Sequence, residues 1–503
     1  MRSRGIFIFV VLLLGPSSAW PQESPPPGDS LVEVLLQMQA QMRDLQEAVR
    51  ELREETARYR AEAIQLRSEL ARDSGLPSKP PLNSTSNTMP EQPGSEKRLA
   101  ALEEDIQLLN DRVDEQYQTK VESASKYRIK LSGIALFNLF SNRGAVDSID
   151  NPTLAQSATS VLSRQSFASS LRQSIVGLQV FGPQIAGART SADVQFDFAG
   201  GFSSVENGVT FGLVRLRTAR LRLQWQNTAI VGGQDSLFFA PLAPSSFASL
   251  SSPSLAYAGT LWAWLPQLRF EHQTPLSENS SINFAAGILD GVTGELPVSE
   301  YFRPVQAGES AGQPAYAARI AWSHALFGRS LTVGGGAFYN RQNWGFHRDV
   351  DGWAATSDVT VPLGRWFSIS GEFYRGRAIG GLAGATGRSV VFSGDLADPA
   401  TQVHGLNTLG GWAQLKFAPT AKLEFNGAFG QDNPFAADLR EFPSTESYVN
   451  SSVARNRGAM VNVIARPRSD LVFSLEYRRL RTFEVQGTSE TADHINLSAG
   501  VLF

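Results

Sequence analysis

The final stretch of the chain, Thr491-Ala-Asp-His-Ile-Asn-Leu-Ser-Ala-Gly-Val-Leu-Phe503, alternates between apolar and polar side chains. Successive side chains of a strand point to opposite faces. The apolar face would carry Ile495, Leu497, Ala499, Val501 and Phe503, and the polar face His494, Asn496, Ser498 and Gly500. This length suits a tilted strand that crosses a bilayer. An edge strand of a soluble β-sandwich would alternate in the same way, so the rest of the chain must discriminate.

The same period of two runs through the whole region 127–503. About 16 alternating segments can be drawn, with boundaries uncertain by about two to four residues. They are 127–139, 167–180, 189–198, 211–226, 229–235, 261–273, 281–290, 314–324, 331–341, 351–362, 367–377, 405–418, 422–431, 453–466, 471–482 and 492–503.

The connections between these segments alternate in length. Short turns follow the even-numbered segments, for example at Phe181–Gln184 and Pro467–Asp470. Most connections after odd-numbered segments are long and rich in Gly, Ser, Pro and Asp, such as 236–260 and 378–404. In a transmembrane barrel, short turns lie at one rim and long loops at the other. We therefore predict an all-β transmembrane barrel of about 16 antiparallel strands, wide enough to hold an aqueous channel.

Composition narrows the class further. The 503 residues include no cysteine, 44 glycines, 10% aromatic and only 18% charged residues. Without cysteine, neither disulfides nor thiolate metal sites can form. The formal net charge of −3 and the lack of a basic block argue against nucleic-acid binding.

The N-terminal quarter divides into segments of different character. Residues 1–19 resemble a secretory signal peptide, with Arg2 and Arg4 before an apolar run and small residues up to Ala19. A segment 20–30 follows. Residues 31–72 form a predicted coiled coil, 73–94 a Pro- and Ser-rich linker, and 95–122 a second coiled-coil helix.

The heptads are regular. In the first coiled coil the apolar stripe is Leu31, Leu35, Met38, Met42, Leu45, Val49, Leu52, Thr56, Tyr59, Ala63, Leu66 and Leu70, and in the second it is Leu99, Leu102, Ile106, Leu109 and Val113. One helix alone cannot bury such a narrow stripe, so we expect self-association. The core residues of the second helix favour a dimer, whereas an attached barrel could impose a trimer. A helical hairpin packed on another domain is the alternative. An even strand number puts both chain ends at the short-turn rim, so the coiled coil would lie in the periplasm.

Many arginines lie within strands. We expect them on the channel wall, because arginine on the lipid face costs about 2–4 kcal/mol at mid-membrane. The predicted pore-lining residues are Arg128, Arg215, Arg217, Arg220, Arg222, Arg269, Arg319, Arg375 and Arg377. A bulge near Thr218 or Ala219 would bring all four arginines between 215 and 222 to one face. Either they form a ladder that attracts anions, or they pair with acids such as Asp193, Asp197, Glu271, Glu372 and Glu476.

Three stretches resemble a known family: Val214-Arg-Leu-Arg-Thr-Ala-Arg-Leu221, Gly233-Gln-Asp-Ser-Leu-Phe238 and Trp262 to Arg269. They are similar to the corresponding parts of trimeric outer-membrane porins with an N-terminal periplasmic coiled coil, the dicarboxylate-specific DcaP-like porins. Phosphate-selective porins O and P are more distantly similar. The resemblance implies a homotrimer in the outer membrane that takes up small anionic solutes.

The resemblance also implies a third surface loop that folds inward and narrows the pore. Its predicted constriction residues are Gln234, Asp235, Ser236, Phe238 and Phe239. The terminal Phe503 resembles the assembly signal at the end of bacterial barrels. Loops of the phosphate channels are rich in lysine, whereas the lysines of this barrel are Lys130, Lys416 and Lys422, which favours carboxylates.

Two other classes of function are an enzyme and a structural protein. No Gly-x-Ser-x-Gly or His-Glu-x-x-His motif occurs, so we expect no enzyme, catalytic residue, metal or cofactor. A structural tether or adhesin remains an alternative, in which the coiled coil contacts the cell wall and the barrel serves as an anchor in outer-membrane lipid.

Overall fold

A computed structural model describes residues 128–159, 163–202, 205, 212–295, 303–441, 453–485 and 487–503. The predicted signal peptide, the segment 20–30, both coiled-coil regions and the linker lie outside these residues.

One antiparallel sheet contains nearly all of the strands. It has 17 segments, of which Gln165–Ser170 and Ile175–Ile185 both pair with the first strand and count as one, which leaves 16. The strands are β1 (Arg128–Arg143), β2 (Gln165–Ser170 and Ile175–Ile185), β3 (Ala188–Asp197), β4 (Arg215–Gln224), β5 (Thr228–Ser236), β6 (Trp264–Ser277), β7 (Ser280–Leu289), β8 (Ala315–Leu326), β9 (Arg329–Asn343), β10 (Asp349–Leu363), β11 (Phe367–Arg377), β12 (Asn407–Thr420), β13 (Leu423–Pro434), β14 (Val453–Arg468), β15 (Leu471–Glu484) and β16 (Ser489–Leu502).

The sheet closes on itself. Strand β1 pairs with β2 on one side and with β16 on the other, where Asn138 lies opposite Ser498. Every other strand pairs with its neighbours in sequence. A closed sheet has no edge that would expose unpaired backbone groups to lipid. The predicted 16-stranded barrel is therefore confirmed, and the soluble sandwich is excluded.

Apolar side chains cover the outside of this barrel. In β16, Ile495, Leu497 and Val501 are each about half exposed, whereas Asn496 and Ser498 are buried. Near the short turns, the outward rings of Phe367, Phe417 and Phe425 stack in a row, with centroids 4.7 and 5.9 Å apart. Aromatic residues at this level are typical of a membrane interface. The predicted orientation, apolar outward and polar inward, is confirmed.

The two rims differ as predicted. One, the short-turn rim, carries the connections 186–187, 225–227, 278–279, 327–328, 364–366, 421–422 and 469–470. The other, the long-loop rim, carries 144–164, 198–214, 237–263, 290–314, 378–406 and 435–452, with the shorter 344–348 and 485–488. The first turn was predicted at Phe181–Gln184 but lies at 186–187, because pairing between β2 and β3 continues to Ile185 and Ala188.

The long loops contain small elements of their own. Two short strand pairs join Ala145–Val146 to Ala155–Gln156 and Val390–Phe392 to Val403–Gly405. The helix α1 spans Ala436–Glu441, and single 3-10 turns span Glu309–Ala311, Gly380–Leu382 and Ala385–Gly387. Within the described ranges, no helix has both the length and the apolar character needed to cross a membrane.

Two neighbouring positions of β7 test which face meets lipid. Phe284 is 42% exposed on the outer face, and Asn283 lies on the inner face beside the cavity described below. We expect Phe284→Arg to lower the free energy of unfolding by about 2–4 kcal/mol, because the guanidinium meets hydrocarbon. The matched control Asn283→Arg should change it by less than about 1 kcal/mol. Urea unfolding from lipid vesicles measures both, and equal effects would contradict the assignment of the faces.

Candidate functional site

The connection between β5 and β6, residues 237–263, lies against the inner wall, and we call it the lumen loop. Phe239 near its start is fully buried and stacks on Phe338 of β9, with ring centroids 5.3 Å apart. The Phe239 carbonyl accepts a 2.6 Å hydrogen bond from the Thr356 hydroxyl of β10. Phe338 and Thr356 have inward side chains, so the loop turns into the barrel.

Inward polar side chains of five further strands hold the middle of the lumen loop. The hydrogen bonds run from Leu242 N to Glu372 Oε2 (3.2 Å), from Ser245 N to Gln414 Oε1 (2.7 Å), from Asn462 Nδ2 to Ser245 O (2.8 Å), from Ser246 Oγ to Glu476 Oε2 (2.5 Å) and from Asn138 Nδ2 to Phe247 O (3.2 Å). These hydrogen bonds hold successive residues of the loop against the inner wall, from β11 round to β1. Removing one such partner inside the barrel would leave a buried polar group unsatisfied.

Arg478 of β15 joins the lumen loop to the first long loop, residues 144–164. Its side chain is 2% exposed and pairs with Glu476 at 2.7 Å. It also donates to the Pro152 carbonyl at 3.1 Å and to the Ser249 hydroxyl. Since a guanidinium offers five donors in a fixed plane, this one side chain fixes two loops to the wall.

Part of the inner wall beneath the lumen loop is apolar. One cluster contains Ile134, Leu136, Ile464 and Val472 of the wall with Phe247 and Leu250 of the loop. A second contains Trp412, Ala428 and Met460 of the wall with Leu242, Leu255 and Ala258 of the loop. The apolar composition of the loop is thus matched by apolar residues on the inward face. These contacts remove the loop's side chains from water and hold it in place.

Two wall glycines admit the loop backbone. A Cβ at Gly336 of β9 would lie 2.5 Å from the Phe239 carbonyl oxygen. One at Gly430 of β13 would overlap the carbonyl of Ala258. Glycine inside a strand often marks such a close approach. Neither glycine is among the residues predicted from the sequence, although the run Gly334-Gly-Gly336 within a strand is a signal for Gly336.

A β-bulge turns β4 into an arginine-bearing wall. Gln195 of β3 pairs with Thr218, whereas Phe196 pairs with Leu216, so Arg217 is the extra residue. The bulge lies one residue from its predicted position. Leu216 and Leu221 are both exposed on the outside although they are five positions apart. The bulge therefore brings four arginines to the inner face: Arg215, Arg217, Arg220 and Arg222.

Gln234 of β5 stabilises this bulge. Its side-chain amide donates to the carbonyls of Leu216 and Arg217, at 3.2 and 2.9 Å. These carbonyls lie beyond the last residue pair of the two strands, Ala219 and Gln234. The amide thus satisfies acceptors that the bulge leaves outside the ladder.

The inward arginines are paired with carboxylates. Arg215 and Arg217 bind Asp197 (2.6 and 2.9 Å), Arg220 binds Asp193 (2.9 Å) and Asp235 (3.2 Å), Arg222 binds Glu271 (2.8 Å), Arg269 binds Asp235 (2.8 Å) and Glu271 (2.7 Å), and Arg319 binds Asp358 (2.5 Å). Six arginines thus share five carboxylates, an excess of one positive charge. Of the acids predicted as partners, Asp193, Asp197 and Glu271 take this role, whereas Glu372 binds the lumen loop and Glu476 binds Arg478.

Two of these arginines also bind the lumen loop. Arg215 donates to the Ser251 carbonyl and Arg217 to the Leu250 carbonyl, both at 2.5 Å. Their guanidinium carbons lie 4.8 and 4.6 Å from the ring centroid of Trp264. Arg215 and Arg217 therefore serve to attach the loop to β4.

The remaining arginines line a cavity of about 430 Å³ between the lumen loop and the wall of β4 to β8. Arg220, Arg222, Arg269 and Arg319 form its basic side, with Asp235 and Glu271 among them. Leu237, Phe238 and Pro241 at the start of the lumen loop form its apolar side. The side chains of Arg222 and Arg220 are 38% and 34% exposed, while Arg269 is 8% exposed. Arg220 and Arg222 are therefore the accessible cations of this cavity.

Three predicted pore-lining arginines lie elsewhere. Arg375 and Arg377 share the outer face of β11 with the exposed Ile369 and Phe373. Arg375 lies over the rings of Trp353 and Phe435, at 5.3 and 4.3 Å from their centroids. They reach this face near the long-loop rim, where an outward charge costs little. Arg128 has the inward parity of Ile134 and Leu136, but it lies outside the cavity, exposed at the short-turn rim and 5.3 Å from the centroid of Phe181.

The predicted constriction residues divide between strand and loop. Gln234, Asp235 and Ser236 belong to β5, because their pairing with β6 continues to Ser236 and Trp264. Asp235 is buried between Arg220 and Arg269. Phe238 and Phe239 do belong to the lumen loop, where Phe238 lies 5.7 Å from the guanidinium carbon of Arg269.

The chemistry of this site is electrostatic. The arginine guanidinium keeps its positive charge and presents paired donors to a carboxylate or phosphate. Within the part of the chain that the structure describes, no group of three or more His, Cys, Asp or Glu is placed to hold a metal ion. The arrangement suits the transient binding of a diffusing anion.

This closed barrel with an inner loop is the fold of an outer-membrane porin. No protein-family model and no curated protein matches the chain. Among solved structures, the outer membrane channel DcaP of Acinetobacter baumannii is similar over 75% of this chain and 99% of its own, with TM-score 0.57 and 16% identity. An anion-selective porin from Comamonas acidovorans covers 75% of this chain and 100% of its own, with TM-score 0.45 and 11% identity. The similarity to DcaP agrees with the barrel fold that the sequence predicts.

Proposed function

We propose that the chain is an outer-membrane porin through which small anionic solutes, carboxylates above all, diffuse passively. The observation that carries this proposal is the cavity inside the barrel, where Arg220 and Arg222 are accessible. A carboxylate that passes this wall replaces its hydrogen bonds to water with hydrogen bonds from the paired N–H groups of the arginines. The adjoining Leu237, Phe238 and Pro241 suit an apolar solute body.

The ion pairs set the strength of this preference. Each arginine on the inner wall of β4 to β8 already has a carboxylate partner, so only a small part of its charge acts on a passing ion. The preference for anions should therefore be moderate. Both interpretations of the arginines contribute, since they are paired with acids and still present exposed donors.

The lumen loop would narrow the pore. Its hydrogen bonds run along the inner wall from β10 round to β1 and β4, and Leu237, Phe239 and Leu261 also cluster with Leu289 of β7 and Ala317 of β8. The solute path would follow the wall that borders the cavity, at β4 to β8. The long-loop rim would then face the cell surface and the short-turn rim the periplasm.

The N-terminal heptads extend the proposal. The coiled-coil regions 31–72 and 95–122 would lie in the periplasm, where they would support a homotrimer and offer a surface for contact with the cell wall. This arrangement combines the porin with the tether that the sequence also allows.

Charge variants test the solute preference. In planar bilayers under a salt gradient, we expect Arg220→Gln with Arg222→Gln to shift the ratio of anion to cation permeability about fivefold towards cations, since two charges near the path supply about 1 kcal/mol in water. Asp235→Asn should shift the ratio in the opposite direction. The control Arg341→Gln, on the outer face beside Asp349, should leave it unchanged. Selectivity that does not respond to either inner-wall change would contradict the proposal.

Shortening the lumen loop tests the constriction. We expect replacement of residues 243–254 by a short Gly-Ser linker to raise single-channel conductance at least about twofold, since the access cross-section limits the ion current through a wide barrel. The retained Leu237 to Leu242 keep the buried Phe239 anchor and the bond to Glu372. Heat-modified mobility on gels checks that the barrel still folds. Unchanged conductance from a folded barrel would show that the loop does not limit flow.

Deletion of residues 31–120 tests the role of the heptads. We expect the truncated protein to form less heat-stable oligomers than the full chain, because the buried a and d positions are lost. Light scattering gives the subunit number, and a melting series on gels gives the stability. The same subunit number and the same melting temperature would contradict a role in oligomerisation.

A further inference from the structure

Two neighbouring strands together carry four arginines on the outer wall near the long-loop rim. They are Arg455 and Arg457 of β14 and Arg479 and Arg481 of β15. They share the outward face with Val461, Leu475 and Tyr477, which are 56%, 50% and 39% exposed. Their cross-strand register places Arg455 opposite Phe483, Arg457 opposite Arg481 and Arg479 opposite Ala459.

Three of these arginines converge on one ring. The guanidinium carbons of Arg455, Arg481 and Arg457 lie 4.0, 4.8 and 5.3 Å from the centroid of Phe483. We call Arg455, Arg457, Arg479, Arg481 and Phe483 the outer basic patch. Its position near the rim keeps the cost of outward charges low, whereas at mid-membrane each would cost about 2–4 kcal/mol.

Among the residues that the structure describes, Asp493, the partner of Arg479, is the one carboxylate paired with the outer basic patch, whereas each inner arginine has a carboxylate partner. Arg457 donates to Gln431 at 2.5 Å, and Arg481 to the Ser489 hydroxyl at 3.4 Å. Arg479 lies 3.7 Å from Asp493. Among the described residues, no acid forms an ion pair with Arg455, Arg457 or Arg481, and Arg455 Nε is buried without a hydrogen-bond partner. Like charges held this closely repel, and an external anion would relieve the repulsion.

An apolar groove of about 590 Å³ adjoins this patch on the outer wall. Ala413, Gly427 and Ala459 leave space between the larger side chains of Phe429, Val461 and Tyr477. Ala459 is two positions from Arg457 on the same face of β14 and lies opposite Arg479. The groove therefore continues directly from the patch towards the middle of the membrane.

We propose that the outer basic patch and this groove together bind lipopolysaccharide of the outer leaflet, with a lipid A phosphate on the arginines and an acyl chain in the groove. The positive charge of the patch favours an anion, and the paired N–H donors of an arginine side chain match phosphate oxygens. The apolar groove next to the patch fits a hydrocarbon chain that is covalently joined to that anion. A phosphorylated lipid supplies both parts in the correct order along the membrane normal. This inference rests on the proposed orientation, with the long-loop rim at the cell surface, and it is independent of the solute.

Arginine variants test the head-group half of the site. Purified full-length protein is titrated with lipopolysaccharide in detergent, and bound lipid is counted by native mass spectrometry. We expect the triple variant R455Q/R457Q/R481Q to bind at least about tenfold more weakly, and the single variant Arg457→Gln to bind severalfold more weakly. Dephosphorylated lipopolysaccharide should bind the unchanged protein as weakly as the triple variant binds the intact lipid. The control Arg341→Gln removes an outward arginine that has its own partner, Asp349, and should bind normally.

Gly427→Leu tests the acyl half without touching the arginines. A Cβ at Gly427 meets only Val461 Cγ1, at 3.9 Å, so the larger side chain fills the groove without backbone conflict. We expect weaker lipopolysaccharide binding and an unchanged conductance. Inorganic phosphate should compete poorly, because it lacks the chain.

Three results would overturn the proposal: equal retention of lipid by the triple variant, equal binding of dephosphorylated lipid, or a change in subunit number with lipid binding intact. The last would identify the patch as a contact between copies of the chain. Bilayer conductance is measured in parallel, so failure of the lipid site is distinguishable from failure of the porin function.

Discussion

The backbone hydrogen bonds between β1 and β16 are the constraint on which the molecule depends. Ten residue pairs, from Ile134 with Leu502 to Arg143 with Asp493, join the first strand to the last. In hydrocarbon, an open sheet edge would leave each of these groups without a partner, at a cost of several kcal/mol per group. Closure therefore permits the apolar exterior, and it also encloses the wet interior in which charged side chains can be placed.

Inside that enclosure, charge and apolar surface are divided between two sides. The side covered by the lumen loop carries apolar clusters and buried polar contacts, including the Glu476–Arg478 pair. The side that borders the cavity carries the paired arginines Arg220 and Arg222 of β4, Arg269 of β6 and Arg319 of β8. A buried charge without a partner is costly, so each of these arginines comes with an acid. The pairing makes it possible to place many cations in one wall, and the geometry of the partners determines which of them remain exposed.

Much of the fold was readable from the sequence. A side-chain period of two marked nearly every strand. The apolar face changes from even-numbered to odd-numbered residues between Leu216 and Leu221, and this change revealed the bulge in β4. The same rule, applied to β11, would have placed Arg375 and Arg377 outside, since they share parity with Ile369 and Phe373. The expectation failed there because it assumed that intrastrand arginine always faces the lumen. Near a rim, where outward arginine is tolerated, the odd or even position of a residue in its strand is the better guide to the face it occupies.

The inner apolar residues were harder to predict. Leu136, Trp412 and Met460 have inward positions, and alternation alone would assign such places to polar side chains. Their partners are in a loop hundreds of residues away in some cases, a contact that local periodicity cannot reveal. The apolar and serine-rich composition of the lumen loop was the available clue. The resemblance implied an inward course, but neither it nor the composition identified the wall residues that the loop contacts.

The position of the lumen loop has a consequence for transit. Because the loop lies against one flank of the interior, the passage we propose would be eccentric, with guanidinium groups on one side of the cavity and Phe238 and Pro241 on the other. An elongated solute with a carboxylate at one end and hydrocarbon at the other would align across this asymmetric slot, whereas a compact ion such as chloride has no axis to align. The channel would therefore sort molecules by the way their polarity is distributed as well as by their charge.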